Sequence, residues 1–269
     1  MPRRGAAERA AGYWEGPESR AGIEPRTLPA LTPAELVAAL SQGLDLAEGR
    51  PMGHAQRVCY VAASVADEVG LSSQLRVALY YASLFHDIGV PLASAGLSTI
   101  AGVSEDALFA ASLLRPPEQL AVESTPAAYQ AIVQAFHHHC ALGAKAISDL
   151  GLPAEVTRII AAHHENWDGG GYALAMEGDE IPLGARVFAV VDAYEAMTSH
   201  RPYRKALPHC KAIEEIVRNA NAQFDPEVVR AFLEAEKRGL LDSERRQDAE
   251  SRPASIDSLK RTLSPTAGD

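Results

Sequence analysis

The sequence is poor in aromatic residues, in paired cysteines and in long apolar runs, and each shortage excludes a class of protein. Aromatic residues make up only 6% of the chain, and the apolar residues are mostly Ala, Leu and Val, a composition that favours helices over sheets. Three cysteines without a CxxC pair do not build a disulfide framework, and they indicate reduced thiols. No apolar run approaches the roughly 18 residues of a membrane span.

Basic residues are fewer than acidic residues. The formal net charge is -10, which argues against binding to nucleic-acid polymers or to anionic membranes. The first residues, MPRRGAAERAAGYWEG, carry charge throughout and lack the apolar core of a secretion signal. These features predict a cytoplasmic protein that binds neither a nucleic-acid polymer nor a membrane. An anionic substrate would have to be drawn by a local cationic site.

Helical periodicity begins shortly after residue 30 and continues to about residue 240. The segments LTPAELVAAL and FDPEVVRAFL both carry a helix start signal, and in the second Asp225 is the expected cap, followed by Pro226. Residues 1–30 and 241–269 are polar and aperiodic, which predicts flexible extensions. The sequence therefore predicts a single all-α domain over residues 31–240 with a flexible extension at each end.

Ionisable side chains recur on the apolar faces of five predicted helices. In HAQRVCYVAASV, for example, His54 lies in line with Val58, Val61 and Val65. The same alignment is found in the helices that contain HDIG, HHHCALG, HHENWDGGGY and VVDAYEAM. The five histidines and two aspartates concerned are His54, His86, Asp87, His139, His163, His164 and Asp192.

Two interpretations of these residues are open at this point. Each one alone can be a core histidine satisfied by a backbone carbonyl, or an exposed residue near a helix end. Burying the whole set would cost several kcal/mol for each unpaired group, whereas a divalent metal takes neutral imidazoles and carboxylates as ligands. Such a set suits two metal ions, and two ions about 3.5–4 Å apart are the usual apparatus for displacement at phosphorus.

Three motifs closely resemble those of the HD-GYP family, which belongs to the HD phosphohydrolase superfamily. They are HDIG (86–89), HHENWDGGGY (163–172) and DAYEAMTSHRPYRKAL (192–207). The resemblance spans roughly residues 35–235 and implies an HD-type helical bundle. It also implies a phosphodiesterase that hydrolyses cyclic di-GMP to pGpG, and in some members on to GMP, with a metal-bridging hydroxide. The implied cofactors are two divalent transition metal ions, with iron or manganese favoured.

The resemblance also implies how the ligands are divided between the ions. The first ion would be held by His54, His86, Asp87 and Asp192. The second would be held by Asp87, His139, His163 and His164. The segment HCALG resembles the family's His-x-x-x-Gly element and thereby selects His139 over the two histidines before it. His86 and Asp87 would form the catalytic pair, with Asp87 as the bridging carboxylate.

Two further motifs provide candidates for substrate contacts. The glycine triplet after the histidine pair lets the backbone turn sharply and approach a ligand closely, although it also suits an ordinary loop after a helix. In RPYRK the guanidinium groups match phosphate oxygens, although a basic run is usually a solvated face. The candidate substrate-binding residues are Tyr172, Gly170, Gly171, Arg201, Arg204 and Lys205.

The sequence departs from the family pattern at several positions. Val90 replaces a lysine that contacts the substrate phosphate, Ala173 replaces the proline of the family name, and Arg50 replaces a glutamate found in members with a third metal. The interval between the HD pair and HCALG is long, and its excess over residues 98–130 predicts an inserted lid or partner-contact segment.

These departures leave two alternatives open. One is a sensor or adaptor that binds a cyclic dinucleotide without cleaving it, and the other is a phosphodiesterase for a different cyclic dinucleotide such as cyclic GMP-AMP. A homodimer or a signalling partner protein is compatible with either.

Overall fold

The computed structural model describes residues 33–47, 52–91, 93, 126–200 and 205–241, and over these ranges the chain is mostly helical. Its α-helices there are α1 (Pro33–Ala47), α2 (His54–Val69), α3 (Ser73–Phe85), α4 (Pro126–Ile147), α5 (Ala154–Ala162), α6 (Leu183–Thr198), α7 (His209–Arg218) and α8 (Pro226–Lys237), with a 3-10 turn at Gly178–Glu180. None of these described helices is both long and apolar enough to cross a bilayer. The predicted all-α class is confirmed.

Several predicted features lie outside the described residues. They include residues 1–30, the tail after Leu241, most of the 98–130 insertion, and Arg50, Arg201 and Arg204. Within the insertion, residues 126–130 form the start of α4. The domain boundaries and the role of the insertion therefore stay predictions.

Local sequence signals fix the ends of several helices. α8 begins as predicted, because the Asp225 carboxylate accepts a hydrogen bond from the Glu227 N–H at 2.8 Å and Pro226 follows the cap. α3 is capped by Ser72, whose hydroxyl oxygen accepts from the N–H of Leu75 at 3.3 Å. Both caps satisfy N–H groups that a helix leaves without an internal partner.

The core lies where α2, α3, α5 and α6 meet. α6 contacts α2, α3, α5, α7 and α8, while α4 packs against α5. Side chains buried in this core include Val58, Leu79, Ile160, Phe188 and Val191, and burying each large apolar side chain contributes about 1.5–3 kcal/mol. This packing brings the ends of α3 and α5 together, at the positions where the HD pair and the histidine pair occur.

α1 fixes the start of α2. Asp45 of α1 is buried, and its carboxylate accepts hydrogen bonds from the N–H groups of Gly53 at 2.8 Å and Ala55 at 3.3 Å. These groups belong to the N-terminus of α2, where free N–H donors attract an acid. The contact places His54, the first residue of α2, at a fixed position in the core.

Candidate metal centre

The structure brings the seven candidate ligands together from five segments. One lies at the start of α2, one in α4, one in α6, two in the turn after α3 and two in the turn after α5: in this order they are His54, His139, Asp192, His86, Asp87, His163 and His164. His86 and Asp87 follow the last residue of α3, and His163 and His164 follow the last residue of α5. These four residues therefore lie just beyond the helices whose apolar faces were predicted to carry them. A turn lets two adjacent side chains face one site, whereas neighbours within a helix diverge by about 100°.

The first group consists of His54, His86 and Asp192. Their ligand atoms lie within 4.8 Å of one another, and His54 Nε2 is 3.5 Å from the Asp192 carboxylate. The two histidines are almost fully buried, whereas 20% of the Asp192 side chain is exposed. The core side of the group is therefore shielded from solvent, and Asp192 is its partly exposed member.

The second group consists of His139, His163 and His164, together with Cys140. Their ligand atoms also lie within 4.8 Å of one another, and the Nε2 atoms of His139 and His163 are 3.2 Å apart. Cys140 was not among the predicted ligands. Burial raises the pKa of its thiol to about 12, so without a cation it is a neutral thiol beside the histidines.

Asp87 lies between the two groups. One of its carboxylate oxygens is 2.9 Å from His86 Nε2, and the other is 3.6 Å from His139 Nε2 and 3.9 Å from His163 Nε2. The two oxygens of one carboxylate thus face histidines of different groups. This arrangement suits a carboxylate that is shared by two cations.

Hydrogen bonds at Nδ1 orient three of the histidines. His86 Nδ1 lies 3.0 Å from the Ser83 carbonyl oxygen, His163 Nδ1 lies 2.6 Å from the Ile160 carbonyl oxygen, and His54 Nδ1 contacts the Glu195 carboxylate. Because the two carbonyl oxygens only accept hydrogen bonds, Nδ1 of His86 and of His163 donates to them, and Nε2 of each ring keeps a lone pair for a cation.

Burial keeps His163 and His164 of the second group neutral. Burial and the neighbouring His139 lower the pKa of His163 to about 3. Burial and the adjacent His163 ring likewise hold the pKa of His164 well below its usual value. Neutral imidazole is the form that binds metal, so this group is poised for a cation at neutral pH.

Two motif glycines let the HD turn touch the backbone of α4. A Cβ on Gly89 would lie 1.9 Å from the His139 carbonyl oxygen and 2.7 Å from the Gly143 nitrogen. Only glycine fits at such a distance. The glycines of HDIG and HCALG therefore pack against each other, and this contact brings Asp87 within reach of His139.

The glycine-rich loop folds back on the histidine pair. A Cβ on Gly171 would lie 2.3 Å from the Asn166 nitrogen, so in this structure glycine is required there for a contact of the chain with itself. Gly170 is exposed. The Tyr172 ring stacks on His164, with centroids 4.8 Å apart, and on the exposed His137 at 4.7 Å. Tyr172 thus lies beside the second group.

Arg186 of α6 ties this loop to the bundle. Its guanidinium donates to Asp179 at 2.8 Å and to Asp225 at 2.9 Å, and it lies over the Trp167 ring at 5.5 Å. Glu165, directly after the histidine pair, is buried and accepts from the N–H of Leu174 at 2.6 Å. These contacts hold the loop against the end of α5.

The remaining predicted positions are distributed as follows. Lys205 is exposed, while the two arginines of RPYRK lie outside the described residues. Val90 is buried with 7% exposure. Ala173 has a φ of 102°, which proline cannot adopt because its ring fixes φ near -65°. The loop at the family's proline position therefore follows a backbone path that excludes proline.

Sequence reasoning missed Glu195 and Arg57, although both belong to the centre's surroundings. Glu195 follows Asp192 by one turn of α6, and Arg57 follows His54 by one turn of α2. Burial opposes ionisation of Glu195, but His54 and Arg57 outweigh it and hold the pKa of Glu195 well below its usual range. The available signal was an acid on the same buried face as Asp192.

The helical bundle and the two imidazole groups joined by an HD aspartate define an HD-domain protein whose core can hold metal. The HD domain family matches residues 106–228. The chain is 30% identical over 218 residues to a cyclic di-GMP phosphodiesterase of Thermotoga maritima, covering 80% of this chain and 52% of that protein. It is also 30% identical over 200 residues to the 3'3'-cGAMP-specific phosphodiesterase 3 of Vibrio cholerae, covering 74% of this chain and 38% of that protein.

The crystal structure of a cyclic GMP-AMP specific phosphodiesterase from V. cholerae has the same fold, with a TM-score of 0.59 and 18% sequence identity over 86% of this chain and 57% of that chain. The chain spans about half or less of the length of the two curated relatives. It contains an HD domain and resembles the HD-GYP family.

Proposed function

We propose that this chain is a metal-dependent phosphodiesterase that opens a cyclic dinucleotide, with cyclic di-GMP as the first candidate and pGpG as the product. The observation that carries the proposal is the position of Asp87, which has one carboxylate oxygen toward each group of histidines. Relatives named as cyclic di-GMP and 3'3'-cGAMP phosphodiesterases support the substrate class.

The residues present fit a pair of divalent transition metal ions. One ion would be held by His54, His86 and Asp192, the other by His139, His163 and His164, with Asp87 shared between them. An imidazole-rich set with bridging carboxylate suits first-row transition metals, and the family motifs favour iron or manganese. When bound, such ions activate water and neutralise charge on the phosphodiester.

The chain's own side chains orient the ligands and exclude water. Phe188 packs against the rings of His86 and His163, with centroids 4.9 Å and 5.6 Å apart, and closes the core side. The exposed edge of Asp192 gives an anionic substrate access to the site. The proposed substrate contacts are Tyr172, Gly170, Gly171, Arg201, Arg204 and Lys205.

A competition assay tests the proposal. Metal-loaded protein is incubated with cyclic di-GMP and cyclic GMP-AMP together, and the nucleotides are separated by chromatography. We expect pGpG to form, and we expect the variant His86→Ala/Asp87→Ala to lose turnover because it loses a ligand and the bridge. The control is Lys211→Ala/Glu214→Ala, which removes an exposed ion pair on α7 and should retain turnover.

Other outcomes of this assay would contradict the proposal or change the substrate or function that it assigns. Full turnover in the His86→Ala/Asp87→Ala variant would rule out this centre as the catalytic site. Faster cleavage of cyclic GMP-AMP would change the substrate, and tight stoichiometric binding without product would identify a sensor. Helical circular dichroism of each variant establishes that loss of turnover is not loss of fold.

The identity of the metal and the cellular compartment of the protein complete the proposal. Elemental analysis of protein purified without chelator should find iron or manganese at about two ions per chain, and a near-absence of transition metal would contradict the scheme. The three cysteines are free thiols, which suits a reducing compartment, and we place the protein in the cytoplasm on that basis. Self-association and a signalling partner stay predictions.

A further inference from the structure

Glu195 of α6 is a buried acid that holds His54. Its side chain has 0% exposure. One carboxylate oxygen contacts His54 Nδ1, and the other accepts hydrogen bonds from Arg57 Nε at 2.8 Å and from the Ser199 hydroxyl at 2.7 Å. A fully buried carboxylate requires such partners, because an unpaired charge in the core is strongly destabilising.

Helical spacing on two packed helices produces this contact. His54 and Arg57 lie one turn apart on α2, and Asp192 and Glu195 lie one turn apart on α6, which contacts α2. The two acids therefore meet opposite nitrogens of one ring. Glu195 contacts Nδ1, whereas Asp192 lies 3.5 Å from Nε2.

His54 needs an outside partner because of its place in α2. His86 and His163 each direct Nδ1 at the carbonyl oxygen three residues earlier, in the last turn of the helix that precedes them. His54 is the first residue of its helix, so the carbonyl three residues earlier is not part of α2. Glu195 takes the role that a helix's own backbone takes for the other two histidines.

We propose that Glu195 is a positioning residue that fixes the Nδ1–H tautomer and the ring orientation of His54, and so raises the metal affinity of the first group. The inference rests on the metal centre of the proposed function. Acceptors behind a ligating histidine typically change metal affinity 10–100-fold when they are removed. A purely structural role, in which Glu195 and Arg57 only tie α6 to α2, predicts no such change.

The tautomer can be measured on the wild-type protein without metal. Long-range proton–nitrogen NMR correlates the ring protons with both ring nitrogens, and the spectrum of His54→Gln assigns the His54 signals. We expect the proton of His54 on Nδ1. Finding it on Nε2 would overturn the proposal, and this measurement does not require any variant of Glu195 to fold.

Metal affinity provides the second readout. Chelator-treated wild-type protein and Glu195→Gln are titrated with Co²⁺, and we expect one of two binding steps to weaken about 10–100-fold in the variant. The matched control is Glu236→Gln, because Glu236 also accepts from a histidine, His209 Nε2 at 3.2 Å, away from the candidate ligands. The control should bind Co²⁺ like the wild type.

A double-mutant cycle separates positioning from structure. In a His54→Ala background, Glu195→Gln should weaken Co²⁺ binding no further, since its effect acts through His54. An equal loss in both backgrounds, or wild-type affinity in the single variant, would overturn the inference. A wild-type protein that binds no Co²⁺ would instead refute the proposed function, and the NMR measurement would still decide whether Glu195 orients His54.

Discussion

At the scale of single residues, histidine protonation links the candidate centre to the stability of the metal-free fold. Burial and His139 lower the pKa of His163 to about 3, whereas a histidine in the unfolded chain has a pKa of about 6.5. Between these values the unfolded state binds the extra proton. The unfolding free energy, as far as it depends on His163, is therefore highest above about pH 6.5 and decreases as the pH falls toward 3. His164 shifts in the same direction.

We expect the chelator-treated protein to lose about 2 kcal/mol of unfolding free energy between about pH 6.5 and pH 5 through His163 alone. Urea denaturation at the two pH values measures this loss. The variant His163→Gln has no titrating ring at this position and should show a shallower pH dependence. An identical dependence in both proteins would contradict the prediction.

At the scale of helices and turns, one backbone contact sets the distance between the HD pair and α4. Gly89→Ala should destabilise the fold by about 1–3 kcal/mol, because its Cβ would lie 1.9 Å from the His139 carbonyl oxygen. The turn would have to move away, which should also weaken metal binding, since Asp87 would move with it. Chemical denaturation and Co²⁺ titration measure the two effects.

Gly43→Ala is the control for this substitution. Gly43 lies in α1, and a Cβ there would meet nothing within 4 Å. Alanine favours a helix interior over glycine by about 1 kcal/mol, so this variant should be as stable as the wild type or more stable. Equal destabilisation by both substitutions would show that the approach of Gly89 to α4 is not the cause.

The all-α fold and the seven candidate ligands could be predicted because their signals are local. The apolar face of a helix repeats within that helix, so a histidine on the face is visible in the sequence. Glu195, Arg57 and Cys140 could not be assigned in this way. Whether a buried acid meets Nδ1 of a histidine depends on how α2 crosses α6, and periodicity within one helix does not encode a crossing geometry.

The glycines also show that the sequence does not reveal contacts between distant segments. The sequence shows that Gly89 and Gly171 belong to motifs, but both pack against backbone from other parts of the fold or loop. A requirement for glycine was expected at the loop for a ligand, and the structure shows a contact with the chain itself at Gly171. Only tertiary packing distinguishes these reasons for a missing side chain.

At the scale of the whole molecule, the candidate centre joins five segments that the hydrophobic core also joins. A cation that binds only the folded state stabilises it, by about 3 kcal/mol at a concentration one hundred times its Kd. We expect Mn²⁺ to raise the thermal midpoint of the chelator-treated protein. Asp87→Asn should lose most of this shift because Asp87 faces both groups, whereas Asp192→Asn should lose only part.

Differential scanning calorimetry with and without Mn²⁺ measures these shifts. The two aspartate variants are matched because each replaces one carboxylate by an amide of the same size. Equal losses in both would contradict a shared role for Asp87. An unchanged midpoint in the wild type would contradict metal binding itself.

The partners of His54 are far away in the chain, and this has a consequence for biosynthesis. Glu195 follows His54 by 141 positions, and Asp192 lies on the same late helix. A nascent chain leaves the ribosome from its N-terminus, so His54 emerges long before either acid has been translated. In the proposed centre, the first group of ligands can be completed only after α6 has been synthesised and has docked on α2. Loading of a metal ion into that group would then follow the synthesis of both helices, when the folded chain presents its three donors together.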